Sequence, residues 1–305
     1  MDGETGGNVV AGQRKGLSSL SASVVTHSFP LPGNRRLTIA HAPAVMGVIN
    51  TTPDSFSDGG VHLEPKAAIE SALRMVEDGA AILDIGGEST RPGAEPVPLE
   101  VELRRVIPVI EGIRAVSDVP ISIDTMKAYV AEAAMHAGAD IVNDISAMRF
   151  DERMPDVVRD SGATVILMHM RGEPQTMQQD VHYDDLIGEI VGELKVWRDS
   201  AIERGIEAAR ILVDPGIGFG KSFAHNIEIL AGTAAFAAVA PVVIGASRKG
   251  FIGSLIHRGP GRERAAGSLA AVAAAATGGA AVVRVHDVRD TVDFLRVFRP
   301  ILGDV

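Results

Sequence analysis

The sequence predicts an α/β protein with one domain, a (β/α)8 or TIM barrel. The chain has 305 residues, of which 46% are hydrophobic, and one barrel of this kind occupies about 250 residues. Aromatic residues make up only 4% of the chain while glycine numbers 33, so its layers must pack on small aliphatic side chains. Buried-strand and helix patterns alternate eight times, which favours a closed barrel over an open doubly wound sheet.

A short repeated phrase marks the start of several strands. Glycine followed by an apolar run occurs at residues 78–83, 137–142, 161–166 and 278–283. Glycine is favoured just past a helix end, and a Val/Ile run fits a strand that is buried on both faces. With the remaining apolar runs, the predicted strands cover residues 44–49, 80–85, 119–123, 139–142, 163–168, 210–213, 241–246 and 281–285.

Segments with helical spacing of apolar residues lie between and after these strands. The predicted helices cover residues 65–78, 98–117, 126–137, 151–161, 182–204, 223–238, 263–277 and 288–298. The uncharged stretch 265–283 resembles a membrane span in length, but Gly278 and Gly279 interrupt it, so we predict a buried helix and then a strand. The barrel is assigned to residues 41–305, preceded by a loosely ordered extension over residues 1–40.

Composition excludes several classes of function. The net charge of −10 argues against a basic surface for nucleic acid or anionic membranes. The chain contains no cysteine, so disulfides, thiol nucleophiles and thiolate metal ligands are excluded. The first forty residues contain no apolar run that would form a signal-peptide core. We therefore expect a cytoplasmic protein whose partners are small molecules, not nucleic acid or membrane.

Polar residues gather after the predicted strands, where barrel enzymes carry their function. Residues 50–60 form a loop rich in Gly, Ser and Asp, and residues 84–93 combine two glycines with Arg91 as an anion donor. Asp124, Asn143 and Asp214 follow three further strands. Each alone is equally explained as a helix cap, but together they indicate hydrogen bonding to a planar heterocycle with an amidine-like edge.

The last two strands are followed by cationic groups instead. Ser247-Arg248-Lys249 follows the seventh strand and Arg284-Val285-His286 ends the eighth, at the position of the usual phosphate site of barrel enzymes. The ligand is therefore expected to be ring-like at one end and anionic at the other. No His-Glu-x-x-His motif or acidic cage indicates catalytic zinc or calcium. A Schiff-base lysine is disfavoured, although Lys249 leaves that chemistry open.

On these residues the sequence resembles the bacterial dihydropteroate synthases over about residues 45–297. The segments that carry the resemblance are 50–60, 84–93, 123–125, 142–144, 214–221, 245–249 and 284–287. The resemblance implies a transferase of folate biosynthesis that joins 6-hydroxymethyl-7,8-dihydropterin diphosphate to 4-aminobenzoate and releases pyrophosphate. It also implies a homodimer and a target of sulfonamides.

The resemblance further implies a role for each matching residue. The pterin ring would be held by Asp124, Asn143, Asp214 and Lys249, and the diphosphate by Arg284 and His286. The aminobenzoate side would be shaped by Ser55, Phe56, Thr90, Arg91, Pro92, Phe219, Ser247 and Lys249. Asp124, Lys249, Arg284 and His286 form the implied catalytic set. Asn50 would help to place Mg²⁺, which commonly keeps waters and substrate phosphates as its other ligands.

Two other functions fit parts of the pattern. A methyltetrahydrofolate-dependent methyltransferase shares the barrel and the pterin-binding carboxylates, but it has no diphosphate to bind. The cationic groups around Lys249 and Arg284 argue against it. A non-catalytic pterin-binding protein is the other alternative, and it would bind the pterin diphosphate without turnover.

Overall fold

The computed structural model describes residues 26–51, 64–90, 93–179 and 181–302. It contains a short antiparallel hairpin and an eight-stranded parallel sheet. The strands are β1 (His27–Leu31), β2 (Arg35–Ile39), β3 (Ala44–Asn50), β4 (Ile82–Gly86), β5 (Ile121–Asp124), β6 (Ile141–Asp144), β7 (Thr164–Met168), β8 (Ile211–Asp214), β9 (Val243–Ile244) and β10 (Val282–Val285). The parallel sheet has the order β8-β7-β6-β5-β4-β3-β10-β9.

A backbone bridge between Val213 and Val242 brings the two ends of this order together. The amide of Val213 also donates to the carbonyl of Pro241 at 3.1 Å. The sheet is therefore closed, and the predicted barrel is confirmed.

Helices alternate with the barrel strands. They are α1 (Glu64–Glu77), α2 (Leu99–Arg114), α3 (Ala128–His136), α4 (Met154–Ser161), α5 (Leu186–Glu203), α6 (Phe223–Ala231), α7 (Thr233–Ala237), α8 (Gly250–Ile256), α9 (Ala265–Thr277) and α10 (Val288–Leu302). The predicted helix 223–238 is divided at Gly232, and α8 was not predicted. The stretch 265–283 forms α9 and then β10, as predicted. Within the described part of the chain, no helix has the length and apolarity needed to cross a bilayer.

The core lies between the helices and the strands. In α2, Val106, Val109, Ile110 and Ile113 are fully buried, and their spacing of three to four residues puts them on one face of the helix. A second apolar cluster fills the amino-terminal end of the barrel. It comprises side chains of the hairpin and of the barrel strands, among them Phe29, Leu31, Leu37, Ile39, Met46, Ile82, Ile141, Ile166, Leu212, Val243 and Val282.

The hairpin corrects our prediction for the amino-terminal residues. Residues 27–39 are an ordered part of the domain, so the prediction of a loosely ordered extension as far as residue 40 is wrong there. Residues 1–25 lie outside the described residues. Arg35 anchors the hairpin by donating to Asp140 at 2.8 Å, and the buried Asp140 also accepts from Arg114 at 2.8 Å. The period-two burial of Phe29 and Leu31, and of Leu37 and Ile39, is the pattern of strands that cover a core.

Candidate active site

Buried acidic and amide side chains converge at the carboxyl ends of neighbouring strands. Asp84 lies on β4, and Asp124 and Asn143 occupy adjacent register positions on β5 and β6. Asp214 ends β8. Asp84 is fully buried, and Asn143 and Asp214 are nearly so. Parallel strands direct these ends to one face of the barrel, which explains why residues distant in sequence meet there.

Arg284, on β10, joins two of these carboxylates. Its Nε donates to Asp84 Oδ2 at 2.6 Å, and its Nη2 donates to Asp124 Oδ2 at 2.7 Å. The guanidinium thus connects β10 with β4 and β5 through two charge-assisted hydrogen bonds, one to each carboxylate. The other oxygen of Asp124, Oδ1, is buried and has no hydrogen-bond partner among the described residues. It is available to a ligand.

The remaining predicted pterin ligands border this ion pair. The side-chain amide of Asn143 lies 3.3 Å from Asp84 Oδ2, and Asp214 Oδ1 accepts the backbone N–H of Gly216 at 2.7 Å. Burial raises the pKa of Asp214 to about 6, although the Gly216 amide and the nearby lysines oppose the rise. Burial also raises the pKa of Asp124, against the attraction of Arg284. The site therefore offers both hydrogen-bond acceptors and amide donors to a heterocycle.

Ser247 and His286 lie on the side of the mouth formed by the last two strands. Ser247 Oγ accepts the backbone N–H of His286 at 3.2 Å and lies 3.1 Å from His286 Nδ1. Burial, together with the charges of Arg284 and Arg248, lowers the pKa of His286 to about 3. The imidazole is therefore neutral at physiological pH. Arg248 is engaged elsewhere, since its guanidinium donates to Asp287 at 3.0 Å.

Lys249 and Phe219 form a third contact at the mouth. The ammonium of Lys249 lies 4.4 Å from the ring centroid of Phe219, a cation–π arrangement. Phe219 belongs to the glycine-rich loop after β8, and its buried ring packs in an apolar cluster. That cluster otherwise consists of Met126, Ile145, Met168, Met170 and Met177. Methionine is adaptable, so this apolar wall can fit closely against a flat ring.

The structure brings most of the predicted site residues together in these three groups. Asn50 and Thr90 are half-buried, at the end of β3 and in the loop after β4. Neither makes a side-chain hydrogen bond with another described residue. Ser55, Phe56, Arg91 and Pro92 lie outside the described residues, so their proposed contacts stay predictions.

Sequence reasoning missed several residues that are important to this arrangement. Asp84 contacts both Arg284 and Asn143, and its signal was a carboxylate within the apolar run Ile82-Leu83-Asp84-Ile85. Lys221 is nearly fully buried behind the loop after β8, where a lysine at the end of a glycine-rich segment looks like a solvated residue. The apolar cluster around Phe219 could not be predicted from the sequence, because its methionines are dispersed through the chain.

The described residues provide little for a metal ion. No group of three or more His, Asp or Glu side chains in that part of the chain is arranged to hold one. Asp84 and Asp124 are both engaged by Arg284. A single amide ligand such as Asn50 fits Mg²⁺ only where a substrate and waters supply the other ligands.

Comparisons with known proteins agree with this geometry. The profile of the family described as "Pterin binding enzyme" matches residues 46–286. Dihydropteroate synthase of Synechocystis sp. is 47% identical over 254 residues, covering 83% of this chain and 88% of that protein. The Escherichia coli enzyme of that name is 44% identical over 268 residues, covering 88% and 94%.

Solved structures give the same result. Dihydropteroate synthase of Xanthomonas albilineans with 4-aminobenzoic acid superposes with a TM-score of 0.83 at 47% identity, covering 90% of this chain and 98% of that one. The same protein in complex with 7,8-dihydropteroate gives a TM-score of 0.78 at 44% identity, with coverages of 87% and 96%. The chain therefore belongs to the pterin-binding enzymes and, among them, to the dihydropteroate synthases.

Proposed function

We propose that this chain joins 6-hydroxymethyl-7,8-dihydropterin diphosphate to 4-aminobenzoate, forming 7,8-dihydropteroate and releasing pyrophosphate. The observation that carries the proposal is the position of Arg284. Its guanidinium contacts buried carboxylates on one side, and His286 follows it by two residues on the same extended segment. Recognition of a heterocycle and of an anion therefore takes place in one continuous site.

At the heterocycle end, the pterin would exchange contacts with Arg284. Asp124 accepts from Arg284 through Oδ2 and has Oδ1 unpartnered among the described side chains. An amidine-like ring edge can pair with both oxygens, as arginine does with carboxylates. Arg284 would keep its contact with Asp84 and turn its outer nitrogen toward the diphosphate. The buried charge of Asp124 then has a partner both before and after binding, which limits its desolvation cost.

At the diphosphate end, Ser247 would favour the tautomer of His286 in which Nε2 donates. Because Ser247 Oγ accepts the backbone N–H of His286, its own hydrogen is free to be donated to Nδ1. The neutral ring then carries its hydrogen on Nε2, facing an incoming oxyanion. A pre-positioned N–H donor and a guanidinium stabilise the charge that develops on the leaving pyrophosphate.

The reaction needs no covalent nucleophile from the protein. The amine nitrogen of aminobenzoate forms a bond to the pterin methylene carbon as the carbon–oxygen bond to the diphosphate breaks. The bonding electron pair leaves with pyrophosphate, and the amine loses a proton. The methylene carbon gains positive character during this step, which the electron-rich dihydropterin ring can spread. The chain contributes orientation and charge.

We propose Mg²⁺ as the cofactor, held by Asn50 and chiefly by the diphosphate and water. When bound, it would neutralise charge on the departing pyrophosphate. The support is the half-buried amide of Asn50 at the end of β3, since Mg²⁺ takes oxygen ligands and commonly keeps waters and substrate phosphates as the others.

The methyltransferase alternative fits the site less well. A methyl donor without a diphosphate gives no role to the Ser247–His286 contact or to the Arg284 nitrogen that would turn toward the diphosphate. A non-catalytic binder remains a distinct function, because it would use the same contacts without forming product.

The direct test measures pyrophosphate release from pterin diphosphate, with and without 4-aminobenzoate and with and without Mg²⁺. We expect release only when all components are present, in equal amount with dihydropteroate. Binding without release supports the non-catalytic protein, and no binding supports other barrel chemistry. Loss of activity in excess EDTA, restored by added Mg²⁺, tests the cofactor.

We further propose a homodimer formed through helices α6 and α8. Phe223 and Ile227 on α6 and Leu255 and Ile256 on α8 are exposed apolar side chains, and both helices pack against α9. Grouped exposed apolar residues commonly mark protein interfaces. Sedimentation of the wild type should give a dimer, and Phe223→Asp with Leu255→Asp should give a monomer. A monomeric wild type contradicts the proposal.

Sulfonamide sensitivity is proposed on similar grounds. Dihydropteroate synthase of Yersinia pestis, 41% identical to this chain, was solved as a complex with a sulfonamide drug. We expect sulfonamides to compete with 4-aminobenzoate in the release assay. A cytoplasmic location stays a prediction from the sequence.

A further inference from the structure

A chain of buried polar side chains lies behind the glycine-rich loop after β8, outside the residues proposed to hold substrates. Lys221 is 2% exposed. Its Nζ lies 2.9 Å from His169 Nδ1, 2.9 Å from the carbonyl oxygen of Phe219 and 3.3 Å from the carbonyl oxygen of His169. Burial lowers the pKa of Lys221 to about 7, and in its ammonium form each of the three N–H donors has an acceptor inside the protein. Lys221 therefore has no hydrogen left to offer a substrate.

His169 is the next residue in this series of buried polar contacts. It is fully buried, and burial lowers its pKa to about 4, so the ring is neutral. When Lys221 is an ammonium, Nδ1 accepts from it and the ring hydrogen lies on Nε2. Nε2 is 3.2 Å from Glu193 Oε2, a close contact without hydrogen-bond geometry. Glu193 also pairs with Arg171. Lys221, His169, Glu193 and Arg171 thus form a line of close polar contacts, called here the polar chain, from the loop after β8 to the surface of α5.

The two loops after β7 and β8 also touch along their backbones. Gly216 and Gly220 have φ values of +67° and +64°, and a side chain on either would clash with the carbonyl oxygens of His169 and Arg171 respectively. The glycine-rich loop therefore cannot shift without moving the loop that carries His169. Phe219 lies between these glycines, and its ring faces the ammonium of Lys249.

From this geometry we propose that Lys221 and His169 are positioning residues for the transfer reaction. They hold the loop after β8 so that Phe219, and with it Lys249, is fixed at the reacting centre, and neither touches a substrate. The inference rests on the proposed function, because Phe219 and Lys249 are placed at the substrates only there.

A spectroscopic probe is already present. The chain has one tryptophan, Trp197, whose ring stacks on His169 at a centroid distance of 5.4 Å. Arg149 lies 4.1 Å from the centroid of the same ring. Its fluorescence emission therefore reports the environment of His169 without any added label.

The first experiment compares Lys221→Met with Lys195→Met. Both changes replace a lysine by an unbranched apolar side chain, but Lys195 is exposed on α5. We expect K221M to lower kcat by about tenfold to 100-fold, because small misplacements of reacting groups have effects of that size. Its Trp197 emission should also shift. K195M should match the wild type in both, and K221M with wild-type kcat and emission overturns the proposal.

The second experiment uses His169→Gln and His169→Leu. It tests the positioning role even if K221M does not fold. A glutamine amide can accept from Lys221 and donate to Glu193, whereas leucine can do neither. We expect H169Q to keep kcat within about threefold of the wild type and H169L to lose about tenfold or more. Equal kcat for H169Q and H169L overturns the positioning role.

Failure of the two ideas can be told apart. If the wild type shows no turnover, the proposed function fails. The emission of K221M and H169L against K195M then still tests whether the buried chain maintains the loop.

Discussion

Arg284 links the charge balance of the free protein to its proposed chemistry. Its contacts with Asp84 and Asp124 lie in a site that is largely shielded from water. Removing one member of such a buried pair leaves a charge without a partner, which typically costs about 3–5 kcal/mol. The same residue therefore affects both folding and turnover, and a test must separate the two.

Arg284→Lys preserves the charge and removes the two-point geometry. A lysine ammonium cannot contact Asp84 and Asp124 as a planar guanidinium does, so kcat/KM for the pterin diphosphate should fall by about 10²–10³. Arg289→Lys is the matched control, because Arg289 is exposed and pairs with Asp78 at 2.8 Å. Surface pairs contribute little, so that variant should stay within about twofold of the wild type. Equal kinetics for R284K and wild type would contradict the assignment of the anion site.

The buried carboxylates predict how activity depends on pH. The pKa of Asp214 is raised to about 6, so this group gains a proton and loses its negative charge as the pH falls through that value. Burial raises the pKa of Asp124 further, to about 7. The kcat/KM for pterin diphosphate should therefore be constant above about pH 8 and decline below about pH 7. His286, with its pKa lowered to about 3, should not contribute to this decline. Steady-state rates over the range are the measurement. The decline should persist in His286→Gln, and Asp214→Asn should keep only the part of the decline near pH 7 that belongs to Asp124.

At the residue scale, sequence alone located the groups that end strands. Asp124, Asn143 and Asp214 follow apolar runs directly, and the barrel rule places such residues at the mouth. Asp84 and Lys221 were not identified from the sequence, and the reason is physical. Their importance comes from contacts with residues about 50 to 200 positions away, such as Arg284 and His169, and local patterns carry no record of such contacts.

At the scale of elements, the loop after β8 depends on glycine for two separate reasons. Gly216 requires a positive φ, and it also leaves room for the carbonyl oxygen of His169. Gly279, at the end of α9, has a φ of +81° with no atom within 4 Å of the position where a Cβ would lie. Comparing alanine substitutions at Gly216 and Gly279 therefore separates the cost of a positive φ from the cost of a steric clash.

Gly279→Ala should cost about 1–2 kcal/mol of unfolding free energy, the penalty of the left-handed conformation alone. Gly216→Ala should cost clearly more, because its methyl group would displace the His169 carbonyl. It should also lower kcat, whereas Gly279→Ala should not. Urea unfolding and steady-state kinetics of both variants test this, and equal unfolding free energies would contradict the clash.

Elements were predictable from sequence where a clear apolar run or helical spacing marks them off from the neighbouring loops. The helix α2 and the strands β3 to β8 follow their apolar patterns closely. The helix α8 covers only seven residues and directly follows Lys249, so its pattern was too short to separate from the preceding loop. The hairpin β1–β2 was obscured by the polar residues around it, although its alternation of buried and exposed positions is regular.

At the scale of the molecule, the two ends of the barrel have different tasks. The hairpin packs apolar side chains into the amino-terminal end, while the polar site occupies the carboxyl-terminal end. Thr164, the first residue of β7, donates to the carbonyl of Pro30 at 2.7 Å. The closed sheet was predictable because each of its eight β/α units has its own apolar pattern in the sequence. The β1–β2 hairpin was not predictable in this way, because it lies outside that repeat.

Leu37→Ala tests the separation of the two ends. Leu37 is 8% exposed, and truncating a buried leucine typically costs about 2–5 kcal/mol. We expect a lower melting temperature with unchanged kcat at 25 °C. Thr38→Ala, an exposed neighbour on β2, is the control and should change neither quantity. A fall in kcat of folded L37A would mean that the two ends are coupled.

Among the described residues, the hairpin covers the amino-terminal end of the barrel, so we expect substrates to enter at the carboxyl-terminal end, where the polar site lies. A molecule bound against Asp84 and Asn143 must enter before a second molecule occupies the outer part of the site. Pyrophosphate must leave by the route through which the pterin diphosphate entered. We therefore expect the two substrates to bind in a fixed order. The pterin diphosphate is expected first and the aminobenzoate second, and a bulky molecule at the rim blocks arrival and departure alike.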